Sequence, residues 1–156
     1  MSLFENVKKN FGLGCMRLPM KGDEVDCGEF CRMVDYFMES GFNYFDTARV
    51  YLGTKSESAI RDCIVRRYPR ESFILTDKLS TSLFNSEEEI RPLFELQLES
   101  CGVDYFDFYL MHAQSKNIFE KYKKCRAYEQ AMEFKKEGRI HKQNSGENTH
   151  GKQSEI

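Results

Sequence analysis

Residues 42–51 read Phe42-Asn43-Tyr44-Phe45-Asp46-Thr47-Ala48-Arg49-Val50-Tyr51, a compact aromatic run followed by a more polar stretch. Aromatic residues are favoured in strands, so the run predicts a strand that leads into Asp46. Beyond this segment, Ile60 and Ile64 lie four residues apart, as on one face of a helix, and Pro69 marks the helix end. The segment therefore predicts a strand–loop–helix unit with its helix over 56–68.

The same order of strand and helix extends to both sides of this unit. Asp26 is a predicted N-cap, and Gly41 the predicted residue after the end, of a helix upstream. Ser86 and Glu89 form a predicted capping box for a later helix, in which Pro92 is expected to cause a kink or to shift the helix start. The predicted strands are 11–19, 42–46, 72–78 and 105–111, and the predicted helices are 27–40, 56–68, 86–102 and 124–137. The connections are too short for anything but parallel strands, which predicts an α/β fold, either a barrel or a doubly wound sheet.

The length of the chain limits how much of a barrel it can form. The chain has 156 residues, whereas a complete eight-fold βα barrel has about 250. It supplies four βα units and the start of a fifth strand at Arg139-Ile140. Residues 141–155 contain no large apolar side chain, so 141–156 is predicted to be a disordered polar tail after one domain over 1–140. An incomplete barrel has open edges, and its aromatic strands predict a large exposed apolar surface and a homodimer that covers it.

Composition excludes several classes of protein. Lys and Arg number 23 against 25 Asp and Glu, a net charge of −2, which argues against a nucleic-acid-binding face. Apolar stretches stop far short of the roughly 20 residues that a membrane-spanning helix needs. The N-terminus lacks the features of a secretory signal, so we expect a cytoplasmic protein whose six cysteines stay reduced. Cys27 and Cys31 lie four residues apart, as metal ligands on a helix do, but buried packing is the favoured interpretation.

Three of the predicted strands finish in an ionisable residue: Asp46, Lys78 and His112. A βα barrel gathers such residues at the carboxyl ends of its strands, and Tyr51 lies in the loop above the same rim. A phenol is a weak acid near neutral pH, but a neighbouring ammonium stabilises the phenolate, and a carboxylate can hold the ammonium in place. An imidazole can orient a carbonyl oxygen or help relay the proton. The four residues therefore make chemical sense as one unit for acid catalysis.

The motifs around these residues resemble the aldo-keto reductase superfamily, in the right order from about residue 8 to 140. They are Gly12-Leu13-Gly14-Cys15-Met16-Arg17-Leu18-Pro19, the Asp46-Thr47-Ala48-Arg49-Val50-Tyr51 signature with Lys55-Ser56-Glu57, Thr76-Asp77-Lys78, and 103–112, which ends in His112. The sequence is most similar to the bacterial branch that often carries a ferredoxin-like C-terminal extension. The resemblance implies a partial (βα)8 TIM barrel and NADPH-dependent reduction of an aldehyde or ketone.

The resemblance also implies a role for each residue. Tyr51 would be the general acid, and Lys78 the cation that makes its proton easier to lose. Asp46 would pair with Lys78 near the nicotinamide ribose, and His112 would position the substrate carbonyl. The backbone around Met16 and Arg17 would line the nicotinamide side of the pocket, so the cofactor-binding candidates are Met16, Arg17 and Asp46.

Two alternatives to this enzyme remain open. The family's later loops, which hold the cofactor phosphates, have no counterpart here, so the chain is expected to be a truncated N-terminal half of the barrel. Such a half could instead be a non-catalytic module that binds itself or a partner. A metal-dependent hydrolase that uses Asp46 and His112 is disfavoured, because the signature offers too few ligands.

Overall fold

A computed structural model describes residues 5–144 of the chain. Within this range we number seven strands and five α-helices in chain order. They are β1 (Gly12–Gly14), β2 (Met20–Lys21), β3 (Glu24–Val25), α1 (Cys27–Glu39), β4 (Tyr44–Asp46), α2 (Lys55–Ile60), β5 (Ile74–Leu79), α3 (Ile90–Cys101), β6 (Phe106–Met111), α4 (Lys116–Lys124), α5 (Ala127–Lys136) and β7 (Ile140–Asn144). A π-helical turn, Arg61–Val65, continues α2 directly.

The main sheet is parallel and places each strand beside the next one in the chain. Its order over the described residues is β1-β4-β5-β6-β7, and the antiparallel pair β2–β3 stands apart from it. A doubly wound sheet reverses its strand order at a switch point, whereas a barrel adds strands in one direction. The predicted α/β class is therefore confirmed, and the strand order is that of part of a TIM-type barrel.

Helix α1 forms where the sequence predicts it. The Asp26 side chain accepts a hydrogen bond from the backbone N–H of Glu29 at 3.1 Å, which caps the first turn. Phe30, Val34 and Phe37 lie on one face and are buried against the sheet. Burial of such side chains contributes about 1.5–3 kcal/mol each, and this apolar stripe fixes the helix on the sheet.

The structure decides two expectations about α3. A 3₁₀ turn, Glu87–Glu89, precedes the helix, so Pro92 is its third residue and lies in the first turn. A backbone N–H at this position has no partner within the helix, so the expected shift of the helix start is confirmed and no kink is needed. The carboxylate of Glu89 accepts from the N–H of Asn85 at 2.7 Å, instead of closing a capping box on Ser86.

The helix predicted over 124–137 is α5, and a separate helix, α4, lies directly before it. Arg126 adopts a left-handed conformation with φ of 51° between them, and the hydroxyl of Ser115 caps α4 through the N–H of Ile118. Helix α4 escaped prediction because it is polar: it buries Tyr122 and ends in lysines. Lysine at the carboxyl end of a helix is stabilised by the helix dipole.

The predicted boundary of the polar tail moves toward the C-terminus. Strand β7 runs to Asn144 and pairs with β6, with Ile140 opposite Phe106. Residues 141–144, which the composition assigned to the tail, are thus part of the sheet, because strand pairing uses backbone groups and does not need apolar side chains. The ring of His141 also stacks on that of Tyr105, with centroids 4.0 Å apart. The rest of the predicted tail, 145–156, lies outside the described residues.

Most aromatic residues of the strands are buried and Tyr44 is half-buried, contrary to the sequence-based expectation. Phe45, Phe106, Phe108 and Tyr109 are each at most 3% exposed. Helices α1, α3 and α5 cover the outer face of the sheet, where Phe94 stacks on Phe134 with centroids 4.2 Å apart. Among the described residues, no helix is long and apolar enough to cross a membrane.

Candidate active site

The carboxyl ends of β4, β5 and β6 bring three predicted residues to one rim of the sheet. Asp46 is the last residue of β4, Lys78 is the last but one of β5, and His112 directly follows β6. Asp46 pairs in register with Thr76, and Lys78 pairs with Leu110. Parallel neighbours in this register place the three side chains together, as the sequence predicts.

Lys78 and Asp46 form an ion pair inside this rim. The ammonium Nζ of Lys78 lies 2.5 Å from Oδ1 of Asp46 and donates to the backbone carbonyl of Thr47 at 2.7 Å. The Lys78 side chain is 9% exposed and that of Asp46 is 30% exposed. A buried ammonium needs such partners, because it has lost most of its contact with water. The lysine is therefore held with its charge at a defined place.

Tyr51 lies next to both Lys78 and His112. It opens a 3₁₀ turn, Tyr51–Thr54, in which its N–H donates to the carbonyl of Ala48 at 2.9 Å. The ammonium of Lys78 lies 4.8 Å from the centroid of the Tyr51 ring. The His112 ring lies on another side, with its centroid 5.7 Å away and its plane at 83° to the phenol. The structure thus brings together all four residues of the predicted catalytic set.

His112 is oriented by a residue that the sequence analysis missed. The hydroxyl of Ser80 lies 2.7 Å from Nδ1 of the imidazole. The backbone N–H of His112 donates to the backbone carbonyl of Leu79 at 3.0 Å. Burial lowers the pKa of His112 and the nearby Lys78 charge lowers it further, against the opposing charge of Asp46. The imidazole is therefore neutral at pH 7. Ser80 follows Lys78 by two residues, which is the signal that could have indicated it.

Behind the rim, buried polar groups hold the peptide unit of Lys78. Oδ1 of Asp77 accepts from the Lys78 N–H at 2.7 Å, and the side-chain amide of Gln97 donates to the Lys78 carbonyl at 3.0 Å. The hydroxyl of Tyr109 donates to the other end of that amide at 2.6 Å. All three side chains are fully buried. The backbone of Lys78 is thus held in place by side chains from β5, β6 and α3.

Two buried carboxyl groups meet in this layer. Burial raises the pKa of Asp77 well above its usual range, and the charge of Glu57 raises it further. Burial also raises the pKa of Glu57, against the guanidinium of Arg49, which donates to Oε2 at 2.6 Å. Its other oxygen, Oε1, is buried and has no hydrogen-bond partner among the described residues. Burial and the mutual repulsion of the two groups favour a proton on the pair, whereas the charges of Arg49 and Lys78 favour the ionised forms.

One group of described side chains has the spacing of metal ligands. Ligand atoms of Glu57, Asp77 and Cys101 lie within 4.8 Å of one another, and all three residues are buried. Cys101 also donates its thiol hydrogen to Oδ2 of Asp77 at 3.8 Å. The Arg49 guanidinium, bonded to Glu57, already supplies a positive charge at this cluster.

Met16 and Arg17 lie beside this rim, in the loop after β1, and both are exposed. The N–H of Cys15 donates to the carbonyl of Asp46 at 2.8 Å, which joins the loop to the end of β4. Ser56 donates to the carbonyl of Cys15 at 2.8 Å. The Met16 side chain is 52% exposed. These two residues therefore border the site without filling it.

Three curated relatives match parts of this chain. The 4-dihydromethyl-trisporate dehydrogenase of Mucor mucedo is 34% identical over 106 residues, which are 65% of this chain and 30% of that protein. Dihydrodiol dehydrogenase 3 of Bos taurus is 31% identical over 136 residues, 74% of this chain and 41% of its own length. The NAD(P)H-dependent D-xylose reductase of Pachysolen tannophilus is 30% identical over 106 residues, 65% of this chain and 29% of its own. The chain thus spans less than half the length of each.

Solved structures share the fold. The aldo-keto reductase AKR11C1 from Bacillus halodurans, in its holo form, superposes with a TM-score of 0.66 and 28% identity, covering 85% of this chain and 44% of that one. An aldo-keto reductase from a Medee basin deep-sea metagenome library gives a TM-score of 0.65 and 25% identity, over 85% and 44% of the two chains. The family model for the Aldo/keto reductase family matches residues 10–145. The rim of Asp46, Tyr51, Lys78 and His112 lies within that match, and the chain belongs to the aldo/keto reductase family.

Proposed function

We propose that this chain carries the proton-donating half of an aldo-keto reductase that reduces an aldehyde or ketone with NADPH. One observation carries the proposal: the buried ammonium of Lys78 lies between the Asp46 carboxylate, at 2.5 Å, and the Tyr51 ring, at 4.8 Å from its centroid. The membership of the family and the dehydrogenase and reductase names of the relatives support it.

Tyr51 acts as the general acid in this proposal. Its hydroxyl gives a proton to the carbonyl oxygen of the substrate, and the phenolate that remains is stabilised by the positive charge of Lys78. Asp46 holds Lys78 in place and neutralises its charge while no phenolate is present. Because the lysine is almost excluded from water, its effect on the phenolate is stronger than at an exposed site.

His112 orients the substrate carbonyl. As a neutral imidazole it carries one ring N–H, which we assign to Nε2: the Ser80 hydroxyl, 2.7 Å from Nδ1, then donates to Nδ1, and the N–H on Nε2 is free to donate to a carbonyl oxygen. A cationic imidazole would place a second positive charge beside Lys78. The lowered pKa of His112 therefore suits a donor that does not compete with Tyr51 for the proton.

The chemistry of the rim fits the nicotinamide end of the cofactor. The partly exposed carboxylate of Asp46 can accept a hydrogen bond from a ribose hydroxyl, and a side chain added at Gly14 would meet nothing within 4 Å, so there is space above β1. Met16 and Arg17 would border this space. The bound nicotinamide supplies the hydride, and the protein supplies the acid and the orientation.

Replacement of Tyr51 tests the proposed acid. We expect Tyr51→Phe to lower the rate of NADPH oxidation with an aromatic aldehyde about 10²- to 10⁴-fold, the usual contribution of a positioned general acid. Tyr36→Phe is the matched control, because Tyr36 is 76% exposed and lies on α1 away from the rim. A folded wild-type chain that neither binds NADPH in a fluorescence titration nor oxidises it would overturn the proposal.

We also propose, as the second candidate, that the chain self-associates through the outer strands of its sheet. Within residues 5–144, β1 and β7 each pair on one side only, and an unpaired strand edge is a template for another strand. Phe11, directly before β1, is 63% exposed. Sedimentation equilibrium should give twice the chain mass, and a compact monomer at all concentrations would contradict this candidate.

A further inference from the structure

Three cysteines that serve no purpose in the proposed reaction meet on the outer side of the barrel. Cys27 and Cys31 lie one turn apart on α1, and Cys63 lies in the π-helical turn after α2. The sequence indicated the first two as a pair without a third ligand. The structure supplies Cys63, because the π-helical turn packs against α1 and brings the Cys63 thiol to the turn of α1 that holds the other two.

The three thiols differ in their access to solvent. Cys27 is exposed, which corrects the expectation of buried packing, Cys31 is half-buried, and Cys63 is fully buried. Cys63 donates to the carbonyl of Cys27 at 3.5 Å. Burial raises the pKa of the Cys63 thiol, and its contact with Cys31 raises it further, so Cys63 keeps its proton. A thiol of this kind does not react first with an oxidant.

Cys31 has the surroundings of a thiol that reacts first. The guanidinium of Arg67 donates to the backbone carbonyls of Cys31 and Cys63, at 3.4 and 3.2 Å. Arg67 is also paired with Asp35 at 2.8 Å, so its guanidinium is held at this turn of α1. A partly exposed sulfur beside an arginine is the usual setting of a redox-sensitive cysteine. The Cys27 carbonyl that the Cys63 sulfur meets at 3.5 Å points along the helix toward residue 31, since helical carbonyls face the residue four positions on.

We propose that Cys31 and Cys63 form a reversible disulfide that links α1 to the π-helical turn when the protein meets a hydroperoxide. The Cys31 sulfur attacks the peroxide oxygen and becomes a sulfenic acid, while the peroxide leaves as water or an alcohol. The Cys63 sulfur then attacks the Cys31 sulfur, and the sulfenic hydroxyl leaves as water with the proton that Cys63 held. Two thiols lose two electrons in total, and the peroxide accepts both.

The test treats the reduced full-length chain with one equivalent of hydrogen peroxide. We expect titratable thiols to fall from six to four and to return to six with dithiothreitol. Cleavage with trypsin and with a glutamate-specific protease separates Cys27 from Cys31 at Glu29, so mass spectrometry of unreduced peptides identifies the linked pair. A peptide that joins Cys31 to Cys63 supports the proposal.

Matched variants separate this pair from its neighbour. Cys27→Ser should keep the linked peptide, because Cys27 lies on the same helix but outside the pair. Cys31→Ser and Cys63→Ala should lose it. If a variant fails to fold, the wild-type chain alone still tests the proposal. Six remaining thiols, a link from Cys63 to Cys27, or the same yield of the Cys31–Cys63 link in urea would each overturn it.

Discussion

Lys78 shows what the fold does for single residues at this site. Its side chain is almost buried, its charge is shared between Asp46 and the carbonyl of Thr47, and its own peptide unit is bonded to Asp77 and Gln97. A lysine side chain loses up to about 2 kcal/mol of conformational entropy when it is fixed. In this chain the lysine loses that entropy on folding, before any substrate binds, which is the condition for a preorganised charge.

Ser80 gives a prediction about the tautomer of His112. We expect Ser80→Ala to remove the partner of Nδ1 and to allow the ring proton to divide between the two nitrogens. Nitrogen NMR of the histidine ring should show this as a change in the Nδ1 and Nε2 shifts. In the proposed reaction, loss of one hydrogen bond of about 1 kcal/mol lowers kcat/KM roughly five-fold.

Ser82→Ala is the matched control, since Ser82 lies two residues further along and is exposed. Unchanged histidine shifts in Ser80→Ala would contradict the assigned orientation.

The carboxyl pair of Glu57 and Asp77 makes stability depend on pH. Both pKa values are raised in the folded chain, so the folded state binds more protons than the unfolded state above the unfolded pKa values of about 4. The stabilisation is therefore complete below about pH 4 and is lost as pH rises through the folded pKa values. The free energy of unfolding in urea, measured across this pH range, should show this loss of stability after the contributions of surface groups are subtracted.

The variant Asp77→Asn isolates the contribution of the carboxyl pair to the pH dependence of stability. An asparagine carbonyl can still accept from the Lys78 N–H, and its amide can donate to Glu57 as a protonated carboxyl group does. We expect the free energy of unfolding of this variant to change less with pH than that of the wild type. An equal slope in the two proteins would show that the pair does not hold the proton.

At the scale of single elements, α1 offers the sharpest test. Asp26→Ala should lower the free energy of unfolding by about 1 kcal/mol, because the N–H of Glu29 loses its cap. Asp26→Asn should keep most of that stability, since asparagine caps as well. Lys21→Ala controls for the surface ion pair of Asp26, whose lysine is 77% exposed. Equal losses in the alanine and asparagine variants would assign the effect to charge and not to capping.

The elements also show what sequence patterns can and cannot predict. Helix α1 was predictable because an N-cap, an apolar stripe and a glycine at φ of 82° agree on its limits. Helix α4 buries one large residue and β7 is mostly polar, so neither carries the periodic apolar signal on which such predictions depend. Their positions are set by capping and by backbone pairing with β6, which composition does not reveal.

At the scale of the whole molecule, the same difference between local patterns and long-range contacts decides which site residues could be predicted. Asp46, Tyr51, Lys78 and His112 could be found because each lies at or soon after the end of a strand, and strand ends meet in a barrel. Ser80 could have been found in the same way. The roles of Glu57, Asp77 and Gln97 could not, since they come from contacts between elements that are distant in sequence. Cys63 belongs to the same class: it lies 32 residues after Cys31 along the chain, and only the packing of α2 on α1 brings it there.

The strand order of the main sheet has a consequence for how the site is made. Each strand after β1 in the order β1-β4-β5-β6-β7 pairs with the main-sheet strand that precedes it in the chain. Asp46, Tyr51, Lys78 and His112 lie within 67 residues of one another, so all four are outside the ribosome once His112 has emerged from it. Contacts between neighbours in the chain form quickly, and domains fold as they are made. We therefore expect the ion pair of the rim to assemble on the nascent chain, before α5 has left the ribosome.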